Sequence, residues 1–188
     1  MKRTLCTAAL AGVLGFSAPL TFAGETSWLD WVISFDRKKE VEPVTDATWL
    51  EECGACHVAY PPGLLPARSW EKLLAPSALE DHFGENAELD NETLNAIKAY
   101  ALAHAADNSI YKRSRKVMAS IRPDETPLRI TETRYIRRKH SEIPEKYIKR
   151  NDKVGSLSNC DACHSEIQNG TFDDDTVIIP GVGRDWED

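Results

Sequence analysis

Residues 158–170 read "SNCDACHSEIQNG" and contain Cys160-Asp161-Ala162-Cys163-His164, and residues 53–57, "CGACH", carry the same Cys-x-x-Cys-His phrase 107 residues earlier. What two such phrases mean depends on where the chain resides. Residues 1–23 open with Lys2 and Arg3, run through an apolar stretch from Leu5 to Phe16, and close on Thr21, Phe22 and Ala23. This is the pattern of a secretory signal peptide. Its 12-residue apolar run is shorter than the roughly 20 residues that span a bilayer as a helix. Cys6 lies at the start of that run and leaves with the signal, so the exported chain is expected to begin near Gly24, to be soluble, and to hold its four remaining cysteines wholly within the two phrases.

Three chemistries compete for those thiols. A four-cysteine zinc site joins two Cys-x-x-Cys knuckles about 15–20 residues apart, and neither that separation nor the adjoining histidine matches. A thioredoxin-like redox pair wants a strand-then-helix setting and no histidine directly after the second cysteine. Covalent haem c attachment accounts for all three residues. Two thiols three positions apart reach the two vinyl groups on one porphyrin edge, and the adjoining histidine reaches the iron. Two haems are therefore expected, attached through Cys53 with Cys56 and through Cys160 with Cys163. His57 and His164 are the proximal ligands.

The local patterns predict a short helix at each phrase. Thr48 with Glu51 makes a capping box for the first, which Pro61-Pro62-Gly63 would end, and Ser158 and Gly170 bracket the second. Helices are further predicted over 64–82 and over 90–106, the latter capped by Asp90, with an extended piece at 127–131. The opposite face of each iron is offered His82, His104, His140 or Met118. His82 follows an apolar wall of Trp70, Leu73, Leu74 and Leu79, and His140 shares a helical face with Ile136. His104 continues the Leu94, Ile97, Ala101 spacing of a buried helix face and is equally acceptable on periodicity. The 25 residues from His57 to His82 and the 24 from His140 to His164 are nearly equal.

The runs "CGACHVAYPPGLLPARSWEKL", "HFGENAELDNETLNAI", "TPLRITETRYIRRKHSEIP" and "VGSLSNCDACH" with "IPG" resemble the bacterial diheme cytochrome c family over roughly residues 50–182. The resemblance implies a periplasmic protein with two bis-histidine haems, His57 with His82 and His140 with His164. It implies as partner a high-spin monohaem cytochrome c or a membrane cytochrome of the b561 type.

The fold class expected is mainly α, a small two-lobed dihaem cytochrome c with short helices around the haems and little sheet. The divisions are a signal at 1–23, an aromatic segment at 24–40, haem lobes at 41–110 and 111–182, and an acidic tail at 183–188. In the aromatic segment Trp28, Trp31, Val32 and Phe35 fall on one helical stripe, suited to packing on the body or to a partner or membrane surface. So small a chain buries limited apolar surface, so haem-free protein is expected to fold poorly. Charge is uneven. Residues 24–110 hold 16 acidic and 6 basic side chains, 111–150 hold 5 and 13, and 151–188 hold 9 and 2. The basic strip of Lys112, Arg113, Arg115, Lys116, Arg137, Arg138 and Lys139 suits haem propionates or partner docking. Nucleic acid is an improbable target for an exported acidic chain.

Irons with two imidazoles have no open position, so the expected role is low-potential single-electron transfer without substrate chemistry. A dihaem peroxidase or a haem-based ligand sensor is the competing class, and either would require one open iron.

Overall fold

The computed structural model describes residues 39–184, and the secretory signal, the aromatic stripe and the last four residues of the acidic tail lie outside them. Asp90 starts the longest helix among the described residues. Its carboxylate accepts from the backbone N–H groups of Glu92 and Thr93 at 2.9 and 3.0 Å, satisfying donors that the first turn leaves orphaned. The predicted 90–106 helix is thus found as Asn91–Ala103, burying Leu94, Ile97 and Ala101 on one face.

Among the described residues that helix is the fourth of six. Before it come α1 (Ala47–Glu52), α2 (Ala67–Leu73) and α3 (Pro76–Leu79), so it is α4; after it come α5 (Lys112–Ser120) and α6 (Arg134–Lys139). The remainder is 3-10 turns and loops. Among the described residues the only β features are two isolated bridges, His82 with Glu85 and Ile179 with Gly183. The fold is mainly α with little sheet.

Several boundaries differ from the sequence expectation. The first helix begins at Asp46, whose carboxylate accepts from the Trp49 N–H at 2.7 Å, in place of Thr48; aspartate is the stronger cap. This helix ends before the first motif, which follows as a turn at Gly54, where a side chain would meet the Leu50 carbonyl. The predicted 64–82 helix is broken into a 3-10 turn at Pro62–Leu64, α2 and α3. Pro66 and Pro76 disfavour helical backbone at the residues before them, and each starts a new element. The second motif forms two separate 3-10 turns, Cys160–Ala162 and Ile167–Asn169, where one helix was expected. Asn159, Asp161, Ser165 and Asn169 favour local hydrogen bonding over helix interior. Residues 127–131 form no strand; Ile130 opens a 3-10 turn instead.

The core is organised around stacked aromatics. Trp49 is 1 % exposed and meets Trp70 edge-on at 5.4 Å and Tyr100 at 5.5 Å. Both indole N–H groups donate to backbone carbonyls, Trp49 to Tyr60 at 3.1 Å and Trp70 to Pro62 at 2.8 Å. Neither indole donor is left unpaired. Leu64, Leu65 and Ile97 extend this core, and Val41, Ile167 and Phe172 join it from both ends of the described chain. A smaller cluster of Val117, Ile121 and Tyr135 fixes α5 against α6.

Gly170 closes the two ends together. Its carbonyl accepts from Glu40 and Val41 at 2.8 and 3.1 Å, its φ is +76°, and a Cβ there would stand 2.1 Å from the Val41 carbonyl oxygen. Gly170→Ala therefore meets both left-handed backbone strain and a backbone clash. The substitution is expected to destabilise the protein by about 2 kcal/mol or more, read as a lower midpoint in thermal unfolding.

Candidate haem centres

Each cysteine phrase lies beside one of the other histidines. The ring centres of His57 and His82 are 6.5 Å apart with planes at 25°, and those of His140 and His164 are 6.1 Å apart with planes at 76°. An ion bridging two imidazoles through bonds of about 2.0 Å, plus about 1.1 Å from each nitrogen to its ring centre, gives about 6.2 Å. Both separations fit a six-coordinate iron between the rings.

Ring orientation supports the same fit. His57 Nδ1 lies 2.8 Å from the Val58 carbonyl and His140 Nδ1 lies 2.8 Å from the Ile136 carbonyl. A carbonyl only accepts, so the proton sits on Nδ1 and the Nε2 lone pair is free for a metal. The carbonyl that aims His140 belongs to the residue four earlier on α6, with His140 as that helix's C-cap. His82 is placed differently. It lies past the end of α3, in a two-residue turn where its N–H donates to the Glu85 carbonyl at 2.7 Å. His164 Nδ1 is buried without a hydrogen-bond partner, beside Phe172 at 5.2 Å between ring centres.

The second pair opens on a cavity of about 430 Å³. Cys160, Cys163, His140 and His164 all line it, with apolar walls that include Ile130 and Phe172 and cationic groups from Arg113, Arg138 and Lys139. An apolar chamber with two thiols at one wall and guanidinium groups at its edge suits a porphyrin with charged propionates. Another cavity, of about 420 Å³, runs between the two motif loops and is lined by Cys56, His57, Asp161 and Gln168.

Burial favours the neutral form of four of these groups, Cys53, Cys160, Cys163 and His164. Burial, with Glu52 and Asp46 adding to it, pushes the Cys53 thiol up to about 12. Burial and Asp161 push Cys160 to about 12 as well, and Cys163 moves in the same direction for the same causes. His164 is driven down to about 4, first by burial and then by His140 and Arg113, against a small opposing effect of Asp174. His82 is also lowered, by burial, then His57, then Arg129. Among the described residues no three His, Cys, Asp or Glu side chains converge as a metal cluster. The histidines meet as two pairs.

His104 is placed elsewhere. As the C-cap of α4 it stacks on Tyr100 at 4.4 Å and sets Nδ1 3.0 Å from a Glu42 carboxylate oxygen. Met118 lies on α5 and lines neither cavity.

Sequence reasoning did not find Tyr60, whose ring stacks on His57 at 4.8 Å while its hydroxyl donates to the Ser158 carbonyl at 2.5 Å. One side chain thus ties the first motif to the second. Burial, then Cys160 and Asp161, pushes its phenol up to about 12 against the opposing effect of Arg129, so it stays protonated to donate. Arg113 was legible only as one member of a basic strip. The structure buries it, donating to the Tyr135 hydroxyl, the Phe172 carbonyl and the Glu40 carboxylate beside the His164 cavity.

Residues 49–172 match the family model described as dihaem cytochrome c. Among solved structures, the chain is 42% identical to a diheme cytochrome type c from Shewanella baltica OS155, covering 74% of this chain and 96% of that one, with a TM-score of 0.60. It is also 42% identical to a diheme cytochrome c from Rhodobacter sphaeroides, covering 69% of this chain and 98% of that one, with a TM-score of 0.61. No curated protein matches it significantly.

The geometry separates the histidines experimentally. His82→Ala or His140→Ala is expected to leave one iron five-coordinate, adding a high-spin absorption band and carbon monoxide binding after reduction. His104→Ala is expected to leave the spectrum unchanged.

Proposed function

We propose, because this chain belongs to the dihaem cytochrome c family and so carries two covalently attached haem c groups, that it is a periplasmic carrier passing single electrons to or from a redox-partner cytochrome. Its general role is electron transfer. The observation that carries the finer reading is the meeting of the histidines as two pairs with ring centres 6.5 and 6.1 Å apart. Haem held between two imidazoles supplies one-electron oxidation and reduction, with no coordination position open to a substrate.

The residues divide into two sets. Cys53 and Cys56 would attach the first haem, with His57 and His82 holding its iron; Cys160 and Cys163 would attach the second, with His164 and His140 holding its iron. Residues 41–110 serve the first and 111–182 the second. Imidazole on both faces lacks the potential-raising effect of a methionine ligand, so both centres are of low potential. The N-terminal signal pattern supports export, and no helix of the described residues is long and apolar enough to cross a membrane. A high-spin monohaem cytochrome c or a b561-type membrane cytochrome is the partner this reading favours.

The basic strip has two sides in the fold. Arg113 is buried, and Arg138 and Lys139 line the cavity at His140 and His164. These three stand where propionates need counter-charges. Lys112, Arg115 and Lys116 on α5 are exposed, as is Arg137 on α6, and they form a basic face for an acidic partner.

Two measurements test the reading. The oxidised protein is expected to be wholly low spin; a high-spin band together with rapid peroxide turnover would transfer the assignment to a dihaem peroxidase. In stopped-flow mixing with an acidic partner cytochrome, transfer is expected to slow by about tenfold with added salt. Lys112→Glu with Lys116→Glu is expected to abolish that dependence without moving either potential, whereas Arg138→Glu is expected to lower one midpoint potential.

A further inference from the structure

The tightest turn beside the first centre breaks a local rule. Phe83 and Gly84 are the two central residues of the turn that closes the His82–Glu85 bridge, and both have positive φ, +59° and +105°. Two left-handed central residues define a type I′ turn, whose first position favours Asn, Asp or Gly. A phenylalanine there is a strained outlier, and Phe83 is the only non-glycine residue with positive φ among those described. Burial does not offset the strain, because Phe83 is 46 % exposed. Strain of this kind persists where surrounding contacts over-determine it, and it gathers at functional sites.

Those contacts are present. The Phe83 ring meets His82 edge-on, with ring centres 4.8 Å apart and planes at 64°. On Phe83 the Arg129 guanidinium rests 3.8 Å from the ring centre, within cation–π range. Arg129 immediately precedes Ile130, which is buried in the main core. The turn is held at its own end as well. Gly84 N–H donates to the Asp81 carboxylate at 2.9 Å, and Ala87 N–H donates to the Leu79 carbonyl at 2.8 Å. Among the described residues the His82 ring has no carbonyl partner of the kind that aims His57 and His140.

We propose that Phe83 is a positioning residue, clamped by Arg129, whose strained turn fixes the orientation of the His82 ring as sixth ligand of the first centre. The strained backbone turns an aromatic edge onto an imidazole that lacks the usual backbone restraint. Arg129 links that edge to the core through Ile130. The proposal rests on the assignment of His82 as a ligand, and the experiment separates the two.

The test uses the mature holoprotein with both haems attached. Phe83→Asn supplies the residue that the turn prefers, so it is expected to melt at or above the wild-type temperature. The reduced variant is nevertheless expected to bind carbon monoxide about tenfold faster, the effect of about 1.4 kcal/mol of lost restraint. In electron paramagnetic resonance of the oxidised form, only the signal removed by His82→Ala is expected to shift. Phe83→Tyr is expected to restore wild-type behaviour, and Arg129→Gln to move carbon monoxide binding in the same direction as Phe83→Asn. A wholly low-spin wild type, with carbon monoxide binding and resonance spectrum unaltered in Phe83→Asn, would overturn the clamp alone. Equal shifts at both centres, or failure of tyrosine to restore, would also overturn it. A His82→Ala protein that stays wholly low spin and binds no carbon monoxide after reduction would overturn the ligand assignment and the clamp with it.

Discussion

Two imidazole rings can share one iron only if their centres stand about 6 Å apart, and the chain meets that condition twice, at 6.5 and 6.1 Å. Much of the fold reads as the means of meeting it. Within each pair the two histidines come from segments separated by 25 and 24 residues, and short helices bring them back together. For the first pair, the Pro66 and Pro76 breaks turn the chain twice between His57 and His82. For the second, α6 delivers His140 at its C-terminus, opposite a loop that no helix supports. Loops with so little regular structure depend on cross-chain ties such as Gly170 to Glu40 and Tyr60 to Ser158.

The pairs satisfy the distance but differ in twist and surroundings. His57 is exposed and its partner sits in a surface turn, whereas His164 is buried enough to be driven down to about 4. Arg113, Arg138 and Lys139 gather at the second cavity, while Arg129 stands near the first pair. Two haem centres in such different fields should not share one potential, since nearby positive charge favours the reduced state. Tyr60, in contact with His57 and hydrogen-bonded two residues before Cys160, is the side chain that couples the two motifs mechanically.

Sequence alone made the cofactor chemistry legible because Cys-x-x-Cys-His is a local pattern, and two copies in a chain whose one other cysteine, Cys6, falls in the N-terminal signal pattern leave little ambiguity. It also found α4, since the Asp90 cap and the Leu94, Ile97, Ala101 face are local as well. It could not choose among His82, His104 and His140 by periodicity, because His104 keeps the helical spacing yet ends as a cap facing Glu42. It also predicted helices through both motifs and one helix over 64–82. Those predictions failed where the proline breaks, the helix end before Gly54 and the short polar side chains outweighed helix propensity, a competition decided by tertiary contacts. Phe83 left a signal that went unread. A bulky residue directly before glycine, between His82 and Glu85, is unusual for a two-residue turn.

The central claim is that two imidazole pairs, one nearly parallel and one nearly crossed, hold the two irons. Parallel imidazole planes act on the same iron d orbital and split it from its neighbour, whereas crossed planes act on different ones and leave them nearly degenerate, enlarging the greatest g value. Low-temperature electron paramagnetic resonance of the oxidised wild-type protein reads this directly. The planes at 25° and 76° predict two low-spin signals of equal spin count, one of ordinary rhombic form and one with its largest g value strongly displaced. A high-spin signal from either iron, or a single signal accounting for both, would contradict the account.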